Sequence, residues 1–279
     1  MKRKTKKTDV FSVISIAVAL LMIFFISGAI LAVLIGGFRY LPEALRSEEI
    51  WFSMKISLST ATISTLLCVL ISIPASYAFT RTNMPFKKVS EVIMELLMCL
   101  PYLVLGFCLL VLFSSDLGKW LKMRGFAVVF NVKGIVIAQF FVNLPFAMRM
   151  VRTAFMQVDN RLEIIAGMLG ASKWKQLTTI ILPLSKNSLI SMIVLTWSRA
   201  IGEFGATLML VGITRMRTET LPGSIYLSIS TGNTGMAMAS STIMLGMAVI
   251  SLIVTNKLNS PPKYYRISEK RGKKVNACN

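Results

Sequence analysis

Three observations place this 279-residue chain among all-α polytopic membrane proteins. Hydrophobic residues make up 54% of it and the mean hydropathy is +0.68, the composition of a protein that faces lipid rather than one that closes around a soluble core. The apolar residues come in long runs, of which 10–35 carries no charge at all. The basic residues behind the net charge of +19 gather in tails and loops beside those runs. They therefore read as a topology signal rather than a nucleic-acid surface. Six runs are long enough to span, which predicts six transmembrane helices joined by loops, with the longest interior loop between the fourth and fifth.

A basic tail, residues 1–9, carries Lys2, Arg3, Lys4, Lys6 and Lys7 ahead of the first span at 10–35. That run is too long for the apolar region of a signal peptide and no small-residue cleavage site follows it, so a retained span is expected. Residues 36–53, with Pro42 and mixed charge, read as a loop. The second span, 54–79, contains Pro74, which a bundle interior tolerates. Arg81, Lys87 and Lys88 mark a short basic loop around Pro85. Glu95 and Pro101 lie inside the third span, 92–113, so that span is not expected to face lipid all round. After an exit segment at 114–125 comes the fourth span, 126–148, with Lys133 near its start and Asn143-Leu144-Pro145 near its end.

The fifth span is placed at 189–211 and the sixth at 236–255. Between them, 212–235 reads as a loop with Arg215, Arg217, Glu219 and Pro222, in which 225–229 forms a re-entrant or interfacial turn. Residues 256–279 are a basic tail with Pro261-Pro262. With both termini on one side, that side holds 21 basic residues and the opposite side 9. The positive-inside rule then places both termini and the fourth-to-fifth loop in the cytoplasm of a multi-pass protein of the cell membrane.

That loop, 159–185, has helical periodicity of its own. Leu162, Ile165, Ala166 and Leu169 fall on one face of a short helix, with Glu163 and Gly167 on the other. Asp159 or Asn160 can cap its start, and Gly170 sits where it would end in a left-handed residue. Ser172 can cap a second turn presenting Trp174, Leu177 and Ile181 before Pro183, so the expected order is helix, glycine, helix.

In the fifth span, Arg199 and Glu203 stand four residues apart inside an apolar run. An arginine or aspartate at the centre of a bilayer helix costs about 2.5–3.5 kcal/mol on insertion scales, so such residues pair or face water. Two readings follow: a neutralised pair holding the bundle, with Gly202 and Gly205 allowing close helix approach, or a polar element lining a path. Met236, Met238, Met244 and Met247 in the last span suit packing better than a metal relay, since no Cys or His accompanies them.

Several functions are disfavoured by what is missing. The chain has no histidine, no C-x-x-C pair among its four cysteines and no G-x-x-x-x-G-K-[ST] phosphate loop. No catalytic residue, cofactor or metal site is expected, and any ATP-derived energy must come from another chain. A passive anion channel would need no docking element, and a membrane enzyme would need convergent catalytic groups beyond Glu95, Arg199 and Glu203.

The loop resembles the EAA loop of ABC-importer permeases. Gly170, Ile180, Leu182 and Pro183 stand at that motif's spacing and Ala166 takes its second alanine, while Ile164 and Ile165 replace the Glu and first Ala and Glu163 stands one residue earlier. The run SRAIGEFGATLMLVG with TRMRTETLPGSIY is similar to the molybdate/tungstate permeases and, less closely, to the sulfate/thiosulfate ones. The resemblance implies a permease homodimer with two cytoplasmic ATPase subunits, an extracytoplasmic oxyanion-binding protein and alternating access within membrane lipid. It implies that Glu163, Ala166, Gly167, Gly170, Ala171, Leu182 and Pro183 serve ATPase coupling, and that Arg199, Glu203, Gly205 and Thr207 line the path or its gate.

Overall fold

The computed structural model describes residues 10–258. Both terminal tails, with the sidedness expected of them, lie outside the described residues apart from 256–258. Every element described is helical, and five helices are long and apolar enough to cross a membrane.

Helix α1 (Val10–Ala44) runs well past the expected end at Ile35. Gly36 and Gly37 belong to a close helix contact, not to a loop. A Cβ on Gly37 would lie 2.0 Å from Thr242 Oγ1 on the last helix, and one on Gly36 2.4 Å from Met238 Sδ. Small residues let two apolar helices approach where no hydrophobic effect drives them together. Pro42 falls in the final turn, where it removes the one backbone bond its amide would have made to Phe38 O.

Helix α2 (Glu48–Arg81) begins six residues earlier than expected. Its buried face is built of small residues, including Ser57, Ala61, Ser64, Cys68, Ser72 and Ser76, which allow α6 to lie close along it. Thr60 on this helix bonds back to Ile56 O at 2.8 Å, while Ser76 donates across to Met148 O at 3.2 Å.

The expected third span is broken. Helices α3 (Lys87–Cys99) and α4 (Tyr102–Ser114) meet at a 115° bend around Leu100 and Pro101. Proline lacks an amide hydrogen and disfavours helical backbone in the residue before it, and Leu100 is accordingly extended, at φ −66° and ψ 135°. After the short α5 (Asp116–Met123), helix α6 (Val132–Met156) starts later and ends later than the expected 126–148. Asn131 fixes that start by accepting a hydrogen bond from Lys133 N at 3.1 Å.

The helix α7 (Asn160–Met168) is followed by α8 (Lys173–Gln176), which runs through one π turn, Leu177–Ile181, into α9 (Leu182–Ile201). Pro183 does not interrupt this run. The Leu182 amide bonds to Leu177 O, five residues back, and the widened turn accommodates the proline ring. Leu177 and Ile181 enter the core while Trp174 points outward, so the three do not share a face. The fifth span then stops at Ile201, ahead of the expected Val211, and a separate α10 (Gly205–Val211) follows.

A helix α11 (Leu221–Ser230) replaces the expected turn at 225–229. Its first residues are buried, and Leu221 N donates to Ser57 Oγ at 2.8 Å. Helix α12 (Thr234–Leu258) closes the bundle against α1. Its methionines pack on different neighbours, Met238 at Gly36, Met244 near Gly202 and Met247 beside Ala61 and Ala200. The core has two main parts: Val151, Phe155, Ile181 and Met192 at the end that carries 157–185, and Ile135, Ala206 and Leu210 toward the other.

Candidate functional site: a docking loop and a broken span

The segment that leaves the bundle between α6 and α9 is held by one arginine. Arg81, the last residue of α2, places Nη2 2.8 Å from Phe155 O and 3.0 Å from Val158 O, at and just past the end of α6. Its Nε lies 2.8 Å from Glu163 Oε1, an ion pair whose side chains are only 10% and 9% exposed. Glu163 therefore turns into the bundle. There it ties α7 to the end of α2.

With its acid turned inward, α7 directs apolar residues outward. Ile164, Ile165, Met168 and Leu169 are all exposed, Leu169 to 83%. Asp159 caps the helix by accepting from Arg161 N at 2.9 Å. At the other end, Gly170 has φ +84°, Gly170 N donates to Gly167 O and Ala171 N to Ala166 O, which together form a Schellman termination. Gln176 ties the next turn to it through Nε2 to Ala171 O at 2.9 Å, and Ser172 caps α8 by accepting from Lys175 N. Ala166 and Ala171 are half-buried at this joint, Leu182 is half-buried and Pro183 exposed beyond it.

The second place is where two broken helices meet. Chain breaks at Leu100–Pro101 and at Gly202–Phe204 lie side by side, because a Cβ on Gly205 would be 3.2 Å from Tyr102 Cβ, and one on Gly106 2.7 Å from Ala206 Cα. Arg199 sits at this junction. Its Nη2 donates to Tyr102 Oη at 2.7 Å, its Nε to Asn143 Oδ1 at 3.3 Å, and its guanidinium stacks 4.6 Å from the Phe146 ring centre. Asn143 is itself fixed by donating to Gln139 O, and Gln139 donates to Ala200 O.

Arg199 and Glu203 do not form the expected pair. The helix ends at Ile201, so Glu203 leaves the face that an i, i+4 spacing would give it, and its carboxylate accepts from Ala206 N at 2.7 Å, Thr207 N at 3.2 Å and the Thr207 hydroxyl. Glu203 and Thr207 are buried, and Gly205 is pressed against Tyr102. Of the four residues expected along a path, only Arg199 reaches an open surface, and among the described residues no carboxylate pairs with it. Sequence reasoning missed Tyr102, Gln139, Asn143 and Phe146; the Asn-Leu-Pro run inside an apolar stretch was the one signal pointing to them.

A bundle of apolar spans, with a broken polar junction inside it and an exposed apolar helix at one end, defines a multi-span membrane protein of the translocating kind. Residues 69–256 match the binding-protein-dependent transport system inner membrane component family, and the chain belongs to it as the permease subunit of an ABC importer. It is similar to the molybdate/tungstate transport system permease protein WtpB of Thermococcus kodakarensis, 34% identical over 60% of this chain and 64% of that protein, just under two thirds of its length. It is also similar to the sulfate transport system permease protein CysT of Escherichia coli, at 26% identity over 78% of this chain and 79% of the relative. In fold it is like a bacterial alginate ABC transporter, with a TM-score of 0.73 at 15% identity, covering 91% of this chain and 94% of that one.

Proposed function

We propose that this permease carries a tetrahedral oxyanion, molybdate or tungstate first, into the cell. The observation that carries the reading is Arg199. Its guanidinium stands at the junction of two broken helices, oriented by a phenol and an amide, and no acid among the described residues offsets it. Discontinuous helices inside a bundle are where transporters place substrate groups, and an anion is what an unneutralised arginine attracts. The similarity to WtpB supports molybdate or tungstate, and the similarity to CysT keeps sulfate as the second reading.

In this reading the bent α3–α4 pair counts as one span, giving six, with both termini and the 157–185 segment in the cytoplasm. Two copies pack as a homodimer in the cell membrane and share the path between them. The outward face of α7, with Ala166, Gly167, Gly170 and Ala171 shaping it, docks into a groove of a separate ATPase subunit; its exposed Ile164, Ile165, Met168 and Leu169 are the contact. A binding protein outside delivers the anion and supplies most of the discrimination, because one arginine recognises charge more than size. ATP-driven closure of the ATPase dimer draws the two α7 helices together and opens the spans outward; hydrolysis and release return them.

The experiment is uptake of labelled molybdate, tungstate and sulfate into proteoliposomes holding the complete importer and ATP. Molybdate or tungstate uptake that depends on the binding protein is expected, and the permease alone should hydrolyse no ATP. Sulfate uptake that excess molybdate cannot inhibit transfers the assignment to sulfate, and uptake of sugars or amino acids with neither anion overturns it.

A further inference from the structure

Inward of Arg199 the bundle holds a cleft of about 440 Å³ between α3, α6 and α9. Its polar lining is Arg149, Thr153, Gln157, Ser188 and Ser191, and no carboxylate contributes to it. The neighbouring cavity of similar size, which shares Arg149 and Thr153 as a wall, contains Glu91 and Glu95, and there Arg152 is neutralised by Glu91 at 2.5 Å. Arg149 is in none of the ion pairs of the described residues. Thr153 and Ser191 direct their hydroxyl hydrogens to Arg149 O and Asn187 O on their own helices. The donors that remain for an occupant are therefore the Arg149 guanidinium, the Ser188 hydroxyl and the Gln157 amide.

The cleft continues from the upper site. Phe146, whose ring carries the Arg199 guanidinium, also lines it, and Arg149 lies three residues further along α6, a rise of about 4.5 Å. Two cations without acid partners are thus arranged along one stretch of α6, the inner one at the end from which the 157–185 segment departs. A guanidinium with neutral donors beside it suits a tetrahedral dianion, through charge-assisted hydrogen bonds. A single charge in an open cleft holds such an anion weakly, which suits a site that must release it.

We propose that this cleft is an anion-holding station on the inward half of the path, with Arg149 binding the tetrahedral dianion after it leaves Arg199. The inference rests on the oxyanion reading above. The same chemistry would recognise a lipid phosphate headgroup, so the test separates the two sources.

The probe is Ser188→Cys, in a chain whose native Cys68, Cys99, Cys108 and Cys278 are serine, assembled as the complete importer in phosphatidylcholine vesicles. Labelling by a charged methanethiosulfonate is followed with and without tungstate. Tungstate is expected to slow labelling, Arg149→Gln to abolish that protection and Arg149→Lys to restore part of it. With native serine at 188, Arg149→Gln should lower tungstate uptake about tenfold, the loss of one charge-assisted hydrogen bond. No protection in vesicles that do take up tungstate overturns the station alone, whereas no tungstate uptake by the unsubstituted importer overturns the oxyanion reading beneath it. Protection that appears only when phosphatidylglycerol replaces phosphatidylcholine, with or without tungstate, makes the cleft a lipid site and overturns the station as well.

Discussion

Arg81 and Glu163 meet at 2.8 Å where α2 ends and α7 begins, and they are the only ion pair among the described residues with both side chains nearly buried. Two charges out of water are a weak source of net stability but a strong constraint on partners, since removing one leaves the other stranded at a cost of about 3–5 kcal/mol. The pair fastens α7 to the last residue of α2, a helix of 34 residues. Glu163→Ala is expected to loosen 157–176, seen as faster hydrogen exchange there, and to uncouple ATP hydrolysis from uptake. Arg81→Leu with Glu163→Leu should recover part of both losses, because no charge is then stranded. If the double variant is no better than the sum of the single ones, the pair does not couple the helices.

Gly170 permits a different test of the same segment. Its φ of +84° closes the Schellman turn, and nothing lies within 4 Å of an added Cβ, so the cost of a side chain there is backbone strain alone. Gly170→Val should cost roughly 1–2 kcal/mol or more, and Gly170→Asn much less. Membrane insertion is expected to survive both, with ATPase-coupled transport falling for valine and largely kept for asparagine. Equal transport by the two variants would show that docking does not depend on this turn.

What was legible in the sequence follows a physical pattern. Hydropathy located the apolar runs, and local capping chemistry located Asp159, Gly170 and Ser172, because a cap depends on residues within one turn of it. The errors fall where tertiary contact overrides local signals. Gly36 and Gly37 look like a loop until Met238 and Thr242 are placed against them. Pro183 looks like a terminator, yet a π turn absorbs it, while Pro101, similarly placed in a run, bends the chain by 115°. The spacing of Arg199 and Glu203 assumed an unbroken helix, and the inward turn of Glu163 needed Arg81, distant in sequence, to be visible.

Glu219 gives the joint between α10 and α11 a pH dependence. It lies between α10 and α11, buried, accepting from Met216 N at 3.3 Å. Burial raises its carboxyl pKa above the ordinary 4.5; the Met216 hydrogen bond opposes the rise, Glu49 adds to it and Arg215 opposes it. The folded protein thus holds this proton more tightly than the unfolded chain does, so stability is lost as pH rises from the unfolded value through the folded one. Thermal melts of the purified complex between pH 4.5 and neutrality should show this fall, and Glu219→Gln should flatten it. An unchanged slope in that variant would assign the dependence to other groups.

Arg199 and Glu203 are expected to behave independently, since each has its own partners. Arg199 is held by Tyr102, Asn143 and the Phe146 ring, while Glu203 holds the start of α10 through Ala206 and Thr207. Arg199→Gln removes the donor to the buried Asn143 Oδ1 and should lower the thermal melt modestly, but cut anion uptake at least tenfold, the weight of one charged hydrogen bond. Glu203→Gln keeps the shape and acceptor oxygen but weakens the bonds to two amides and a hydroxyl, so its effect should appear in the melt. The two should add, within the roughly 0.5 kcal/mol expected of sites without shared partners. A double-mutant cycle that instead returns a coupling well beyond that margin would mean that the two side chains meet in some state of the transport cycle, and the path would then carry an arginine neutralised in turn rather than one left charged throughout.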